Sequence, residues 1–363
     1  MAMKTTAGNH GQPAKGRGSP VNPEGRFETA RREAVDDGWF PDVPDEPGRP
    51  RTVVTLESAK SIISRHDSPD LNFSQSVNPY RGCAHGCSYC YARPSHAYLG
   101  LSPGLDFETR LFAKPDAARL LREELGREGY RCEPIKIGSN TDGYQPIERE
   151  YRITRSVLEV LHETSHPVAI ITKSALVERD LDLLAPMASV GLATVAMSVT
   201  TLDARLSGRM EPRASAPSRR IEAIRRLSAA GVPVGVNVAP IIPFLTDHEV
   251  ESILEAAAAA GASWASWTLV RLPWEVKEVF RAWLEQHVPL KAAHVMARLN
   301  EMRGGRDNDP RFGTRMSGEG LLADLVRRRF DVACNRQGLA QRPAALSRER
   351  FRPPARGGQL GLF

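Results

Sequence analysis

Three of the five cysteines fall within eight residues, as Cys83, Cys87 and Cys90 in the run Arg81-Gly-Cys-Ala-His-Gly-Cys-Ser-Tyr-Cys-Tyr91. Structural zinc takes four tetrahedral ligands, commonly from two Cys-x2-Cys pairs, and this chain has no second pair. A 4Fe-4S cluster held by only three thiolates leaves one iron open to nitrogen and oxygen donors of a substrate or cofactor, whereas electron-transfer clusters carry four cysteines. A zinc knuckle or an incidental group of thiols is the alternative reading of the same residues. Gly82 and Gly86 let the backbone bend around whatever the thiols hold, and His85 reads as a shield inside the loop or as a fourth ligand.

The elements that position this loop read as a series. A first strand over Phe73 to Asn78 runs into the cysteines. Strands follow at Ile135 to Gly138, Val168 to Thr172, Ala193 to Val199, Pro233 to Ala239 and Ala265 to Arg271. They alternate with helical patterns at Asp116 to Glu128, Ile153 to Glu163, Leu176 to Val190, Pro217 to Ala230, Asp247 to Ala260 and Glu275 to Gln286. Six βα units in succession imply an α/β fold with a parallel sheet, doubly wound or curved into a partial (β/α)6 TIM-like barrel. In a barrel, chemistry gathers at the C-terminal strand ends.

The cysteine spacing, with an aromatic before the last thiol and a position directly after the first strand, resembles the radical S-adenosylmethionine superfamily. The resemblance implies the partial barrel, a 4Fe-4S cluster on Cys83, Cys87 and Cys90, and S-adenosylmethionine bound at the open iron. It also implies one-electron cleavage to a 5′-deoxyadenosyl radical that abstracts hydrogen from a substrate. Strand ends should then grip the cofactor: Thr141 and Asp142 the methionine ammonium, Lys173 its carboxylate, Ser198 the ribose, with Glu211 and Arg213 nearby and Ala239 admitting the adenine.

These residues narrow the likeness to the spore photoproduct lyase-like branch, over roughly residues 73 to 270. That branch places Thr/Ser-Asp after strand two, Lys after strand three, Glu-x-Arg after strand four and Val-Ala-Pro-Ile at strand five. The chain departs from it at Ser139, where the lyase has a hydrogen-donating cysteine. An O–H bond is too strong to replace that thiol, so Tyr91 becomes the candidate catalytic hydrogen relay, with Tyr89 beside it. Cys132 and Cys334 read as structural.

The chain has 363 residues, 41% hydrophobic and 25% charged, which excludes disorder throughout. Its net charge of +6 is local. Residues 303–363 hold 13 Arg and no Lys against 6 acidic residues, and residues 1–302 are about neutral. Three segments follow: a flexible leader over 1–50, a core over 51–302, and an Arg-rich extension over 303–363. A linker over Met302 to Pro310 and a basic helix over Gly320 to Asn335 are expected within the extension. The final Gln359-Leu-Gly-Leu-Phe363 resembles the peptide by which bacterial polymerases and repair proteins dock on the DNA sliding clamp.

No apolar run is long enough to span a bilayer, Met1 to Gly11 lacks a secretory apolar region, and the sparse, odd cysteines suit a reducing compartment. A cytoplasmic location without membrane contact is expected. The expected partners are a flavodoxin- or ferredoxin-type electron donor, nucleic acid and the clamp. The same radical chemistry on a protein or a small metabolite, and a non-catalytic iron-sulfur module, are the competing readings.

Overall fold

A computed structural model describes residues 16–27 and 50–354. Among these residues ten strands form two sheets. β1 (Val53–Leu56), β4 (Tyr80–Arg81) and β5 (Arg110–Ala113) make a small sheet in the order β1-β5-β4. The large sheet contains β2 (Ile63–Arg65), β3 (Gln75–Val77), β6 (Ile135–Ile137), β7 (Val168–Thr172), β8 (Ala193–Ser198), β9 (Val234–Ile241) and β10 (Trp264–Leu269). Its order is β10-β9-β8-β7-β6-β3-β2, with every neighbour parallel except the β2/β3 pair. The fold is α/β, and the six strands read from the sequence are the six parallel strands of this sheet.

Register explains how the sheet serves both core and site, because residues paired across strands point to the same face. One such row is Val77, Ile137, Ile170, Val195 and Val234, all buried in the hydrophobic core. The adjacent row is Ser76, Lys136, Ala169 and Thr194, and a later row on that same face holds Ser198, Asn237 and Ser266. The branched aliphatic row packs under helices such as Ile153–Glu163 and Pro217–Ala229. The small and polar rows leave the opposite face open to other uses.

The helices fall close to their expected bounds, with refinements; Asp247 to Ala260, for one, divides into a 3-10 turn, Asp247–Glu249, and a helix, Val250–Ala259. Leu176 to Val190 divides into a 3-10 turn, Ala175–Asp180, and a helix, Leu181–Ser189. An additional helix, Pro289–Glu301, precedes the extension. The small sheet and β2 were not foreseen, since strands of two to four residues carry too few alternations to register.

Two segments read as appendages are built into the fold. Residues 16–27 were assigned to a flexible leader, yet Ser19 is 1% exposed and the amides of Gly18 and Ser19 donate to Glu108 at 3.0 and 2.8 Å. The rest of that assignment, residues 1–15 and 28–49, lies outside the described residues, as does Gln359 to Phe363. The expected linker at Met302 carries Arg303, whose guanidinium donates to the carbonyls of Leu269, Val270, Thr314 and Arg315. Leu269 N in turn donates to Met316 O at 2.8 Å. Arg315 pairs with Asp70 in the β2/β3 connection, so this one segment touches both edges of the large sheet.

The basic helix, Leu321–Gln337, packs on Val250–Ala259, where Arg329 meets Glu251. Beyond it the chain passes beneath the strand starts, with Ala340 beside Trp264, Ser347 N on Gly191 O and Arg352 N on Thr164 O. The local charge looked free in sequence because the acidic partners, among them Asp70, Glu133 and Glu251, lie in distant parts of the chain.

Replacing Arg303 by Met should therefore lower stability by about 3 kcal/mol or more, since several buried carbonyls lose a charged donor together. Urea unfolding measures it; a change under about 0.5 kcal/mol would restore the appendage reading.

Candidate functional site

The cysteine loop emerges from β4 and ends in a 3-10 helix, Arg93–Leu99, so its backbone has few regular partners. Buried side chains supply them instead. Arg93 donates to the carbonyls of Gly86, Cys87, Pro103 and Gly104, and pairs with Glu108 at 2.9 Å. Gln145 receives Ala84 N at 2.8 Å and donates to Gly82 O at 3.2 Å. Gly86 sits at φ +68° and a Cβ there would lie 2.3 Å from the Glu108 carboxylate, so this position excludes any side chain.

Cys83 and Cys87 are buried, Cys90 is partly exposed, and all three are free thiols. Burial and then Glu211 push the Cys87 thiol well above its ordinary pKa; burial and then Cys83 push that of Cys90 up. Among the described residues, no group of three or more His, Cys, Asp or Glu side chains is gathered around a single ion position. The donor chemistry nonetheless fits an iron-sulfur group with a polar ligand: three free thiols on one loop, a fully buried Ser88 hydroxyl between two of them with no partner, and a nearby ammonium.

That ammonium belongs to Lys173. It follows β7, its Nζ lies 5.8 Å from the Tyr89 ring centre, and it makes no ion pair among the described residues. Ser198, at the end of β8, is buried, and its hydroxyl makes no hydrogen bond among the described residues. The backbone oxygen of Ala239 accepts from Thr200 Oγ1 at 3.0 Å.

The other expected cofactor contacts are engaged with protein groups. Asp142 accepts from Thr172 Oγ1 at 2.7 Å, Lys173 N at 2.8 Å and Tyr144 N at 2.9 Å, and faces His85 at 3.4 Å. Burial opposes its charge, but His85 and these donors hold its carboxyl down at about 2. Burial likewise opposes a charge on His85, yet Asp142 and Cys83 lift it to about 10. Thr141 donates to Tyr80 O at 3.2 Å. Arg213 lies at the surface on Thr52.

Glu211 is buried and receives Tyr89, Thr200, Ser207 and Arg220. The exposed catalytic candidate Tyr91 donates its hydroxyl to Ser139 O. The geometry thus gathers the cysteines, Lys173, Asp142, Glu211 and Tyr91 around one loop; Arg213 meets that loop through its amide, which donates to His85 O at 3.3 Å, while its guanidinium turns to the surface. Arg93, Glu108, Gln145 and Arg220 escaped the sequence reading. Only Gln145 carried a signal, as part of the polar run after the second strand.

The Glu211 node predicts a pH response. Burial opposes its ionisation, but Arg220, Lys173 and the hydroxyl donors bring its carboxyl to about 2, below the ordinary 4.5. A depressed carboxylate stabilises the fold above its unfolded pKa, and that contribution disappears as pH falls from about 4.5 towards 2. Thermal melts of Glu211→Gln should show a reduced slope in that window and, at neutral pH, a loss of about 3 kcal/mol from stranding Arg220. Melts that track the wild type at every pH would refute the assignment.

Known proteins are similar to this chain in sequence and fold. The Radical SAM superfamily profile matches residues 77–257, from the end of β3 into the helix before β10. An uncharacterized protein of Mycobacterium tuberculosis is 38% identical over 221 residues, which span 60% of this chain and 65% of that relative. The Radical SAM Nalpha-GlyT isomerase of Pseudomonas phage M6 is 25% identical over 194 residues, 52% of this chain and 38% of the phage protein. Among solved structures, spore photoproduct lyase complexed with dinucleoside spore photoproduct superposes with a TM-score of 0.56 at 17% identity, covering 79% of this chain and 81% of the lyase. The fold is common to both. Through residues 77–257, which carry the cysteine loop and the strand ends around it, this chain belongs to the radical SAM superfamily.

Proposed function

We propose that this protein is a radical S-adenosylmethionine enzyme built on a partial (β/α)6 barrel, with nucleic acid as the substrate class. The observation that carries the chemistry is the meeting of three free thiols with the unpaired Lys173 at the strand ends. Cys83, Cys87 and Cys90 would hold a 4Fe-4S cluster, which supplies one-electron cleavage of S-adenosylmethionine to methionine and a hydrogen-abstracting 5′-deoxyadenosyl radical.

The surrounding residues prepare the site. Lys173 offers the methionine carboxylate an ammonium that makes no ion pair among the described residues. The Ser198 hydroxyl is free for the ribose, and the strand at Ala239 is narrow enough in side-chain bulk for the adenine. Asp142 and Glu211, saturated by protein donors, act by position: Asp142 fixes His85 and the Lys173 backbone, and Glu211 fixes Tyr89 and Arg220. Both lie near a cationic group, which keeps them ionised in their enclosed positions. Tyr91 is the hydrogen relay in this reading, because Ser139 cannot return a hydrogen atom as a thiol would.

Nucleic acid is supported by the shared fold with spore photoproduct lyase, solved with a dinucleoside lesion. A flavodoxin- or ferredoxin-type protein would deliver the electron, and five sparse cysteines, all free, suit a reducing cytoplasm. No helix among the described residues is long and apolar enough to cross a membrane. Gln359 to Phe363 would bring the enzyme to the sliding clamp.

Anaerobic reconstitution should give about four irons per chain and dithionite-dependent 5′-deoxyadenosine, and Cys87→Ala should abolish both. One zinc per chain without cleavage overturns the reading. For the tail, deleting residues 359–363 should eliminate co-purification with the clamp while cofactor cleavage persists. Clamp binding that survives the deletion removes the docking role.

A further inference from the structure

Two residues beyond β10 stands Arg271, which none of the contacts above uses. Its Nε is buried without a partner, one terminal nitrogen reaches only the Met316 sulfur at 3.7 Å, and no carboxylate pairs with it among the described residues. The guanidinium carbon lies 5.7 Å from the centre of the Tyr91 ring. That ring immediately follows Cys90 and is 50% exposed. On the other side, the segment held by Arg303 carries Arg315, stacked 4.5 Å from the centre of Phe312, itself 60% exposed. Arg315 is anchored by Asp70 and Ser68.

A buried N–H without an acceptor is costly to keep, and cations already crowd this corner. Burial, then the Arg315 charge, pulls the Arg271 pKa down; burial, then the Arg271 charge, does the same to Arg303. Asp70 is the one carboxylate that tempers Arg271 there. An incoming anion would satisfy the orphan donor and relieve the repulsion together. Guanidinium forks match phosphate oxygens, and solvent-facing aromatic rings beside arginines are the usual platform for unstacked bases.

We propose that Arg271, Arg315, Tyr91 and Phe312 form a rim that takes single-stranded nucleic acid, a phosphate on Arg271 and flanking bases on the two rings. The inference deepens the function proposed above and rests on its choice of substrate class. Single strands are favoured over duplex because both rings need a base face that pairing and stacking would hide. Since Tyr91 adjoins the last cysteine, a nucleotide held here lies at the mouth of the cofactor site.

The test is binding of a fluorescein-labelled 12-nucleotide single strand, as DNA and as RNA, to the anaerobically reconstituted holoprotein. Fluorescence anisotropy is followed over a salt series, with the DNA duplex and hexaglutamate as comparators. The expected result is saturable single-strand binding, stronger than duplex, weakened tenfold or more by Arg271→Gln with a salt slope reduced by about one. Phe312→Ala, at an exposed position and safe for the fold, should weaken it about five- to tenfold. Arg327→Gln, which removes an equal charge from the distant C-terminal helix, should change it less than twofold.

Equal losses in Arg271→Gln and Arg327→Gln, duplex preference, or equally strong competition by hexaglutamate would each overturn the rim assignment. So would absence of oligonucleotide binding. In those cases dithionite-dependent 5′-deoxyadenosine formation would still stand, and its own failure would be read separately in the reconstitution assay.

Discussion

A buried loop with no regular secondary structure must still find partners for its amides and carbonyls. Around the three cysteines that requirement falls on Arg93, which spans carbonyls on both sides of Cys87, and on Glu108, which balances its charge and takes two amides from residues 18 and 19. Gln145 closes the other flank from the end of β6. The loop therefore owes its shape to three separate parts of the chain. A pair as buried as Arg93 and Glu108 contributes little net stability over apolar packing, but the removal of either member would leave an isolated charge. Its role is to define one geometry.

Electrostatics divide labour among the strand ends. Two carboxylates, Asp142 and Glu211, stay ionised in buried positions because cations and hydroxyl donors surround them. Being saturated, they hold neighbouring groups in place, whereas Lys173 makes no ion pair and the Ser88 hydroxyl no hydrogen bond among the described residues. The distinction between an engaged polar group and a waiting one is invisible in a motif and plain in a hydrogen-bond inventory.

Much of the architecture was legible in the sequence. Strands such as Val168 to Thr172 are runs of β-branched residues bounded by turns, and the helix Ile153–Glu163 repeats apolar residues at helical spacing, so local pattern suffices. The cysteine spacing carried a resemblance to the radical SAM superfamily, whose profile matches residues 77–257. What escaped were relations between distant residues: Gln145 reaching back to Gly82, Glu108 meeting Gly18, Arg315 meeting Asp70. The tail was misjudged for the same reason. An arginine count measures charge, but whether that charge is free depends on acidic residues hundreds of positions away, as with Arg348 and Glu133.

The contact between Glu108 and the amides of residues 18 and 19 joins points about 90 positions apart in the chain. During synthesis the earlier residues emerge first and wait for the later carboxylate. At roughly 5–20 residues per second the wait lasts on the order of 5–20 s, and the cysteine loop is made within it, before the carboxylate that anchors residues 18 and 19. The segment that finally lies beside the loop is thus anchored only after both the loop and Glu108 have been made.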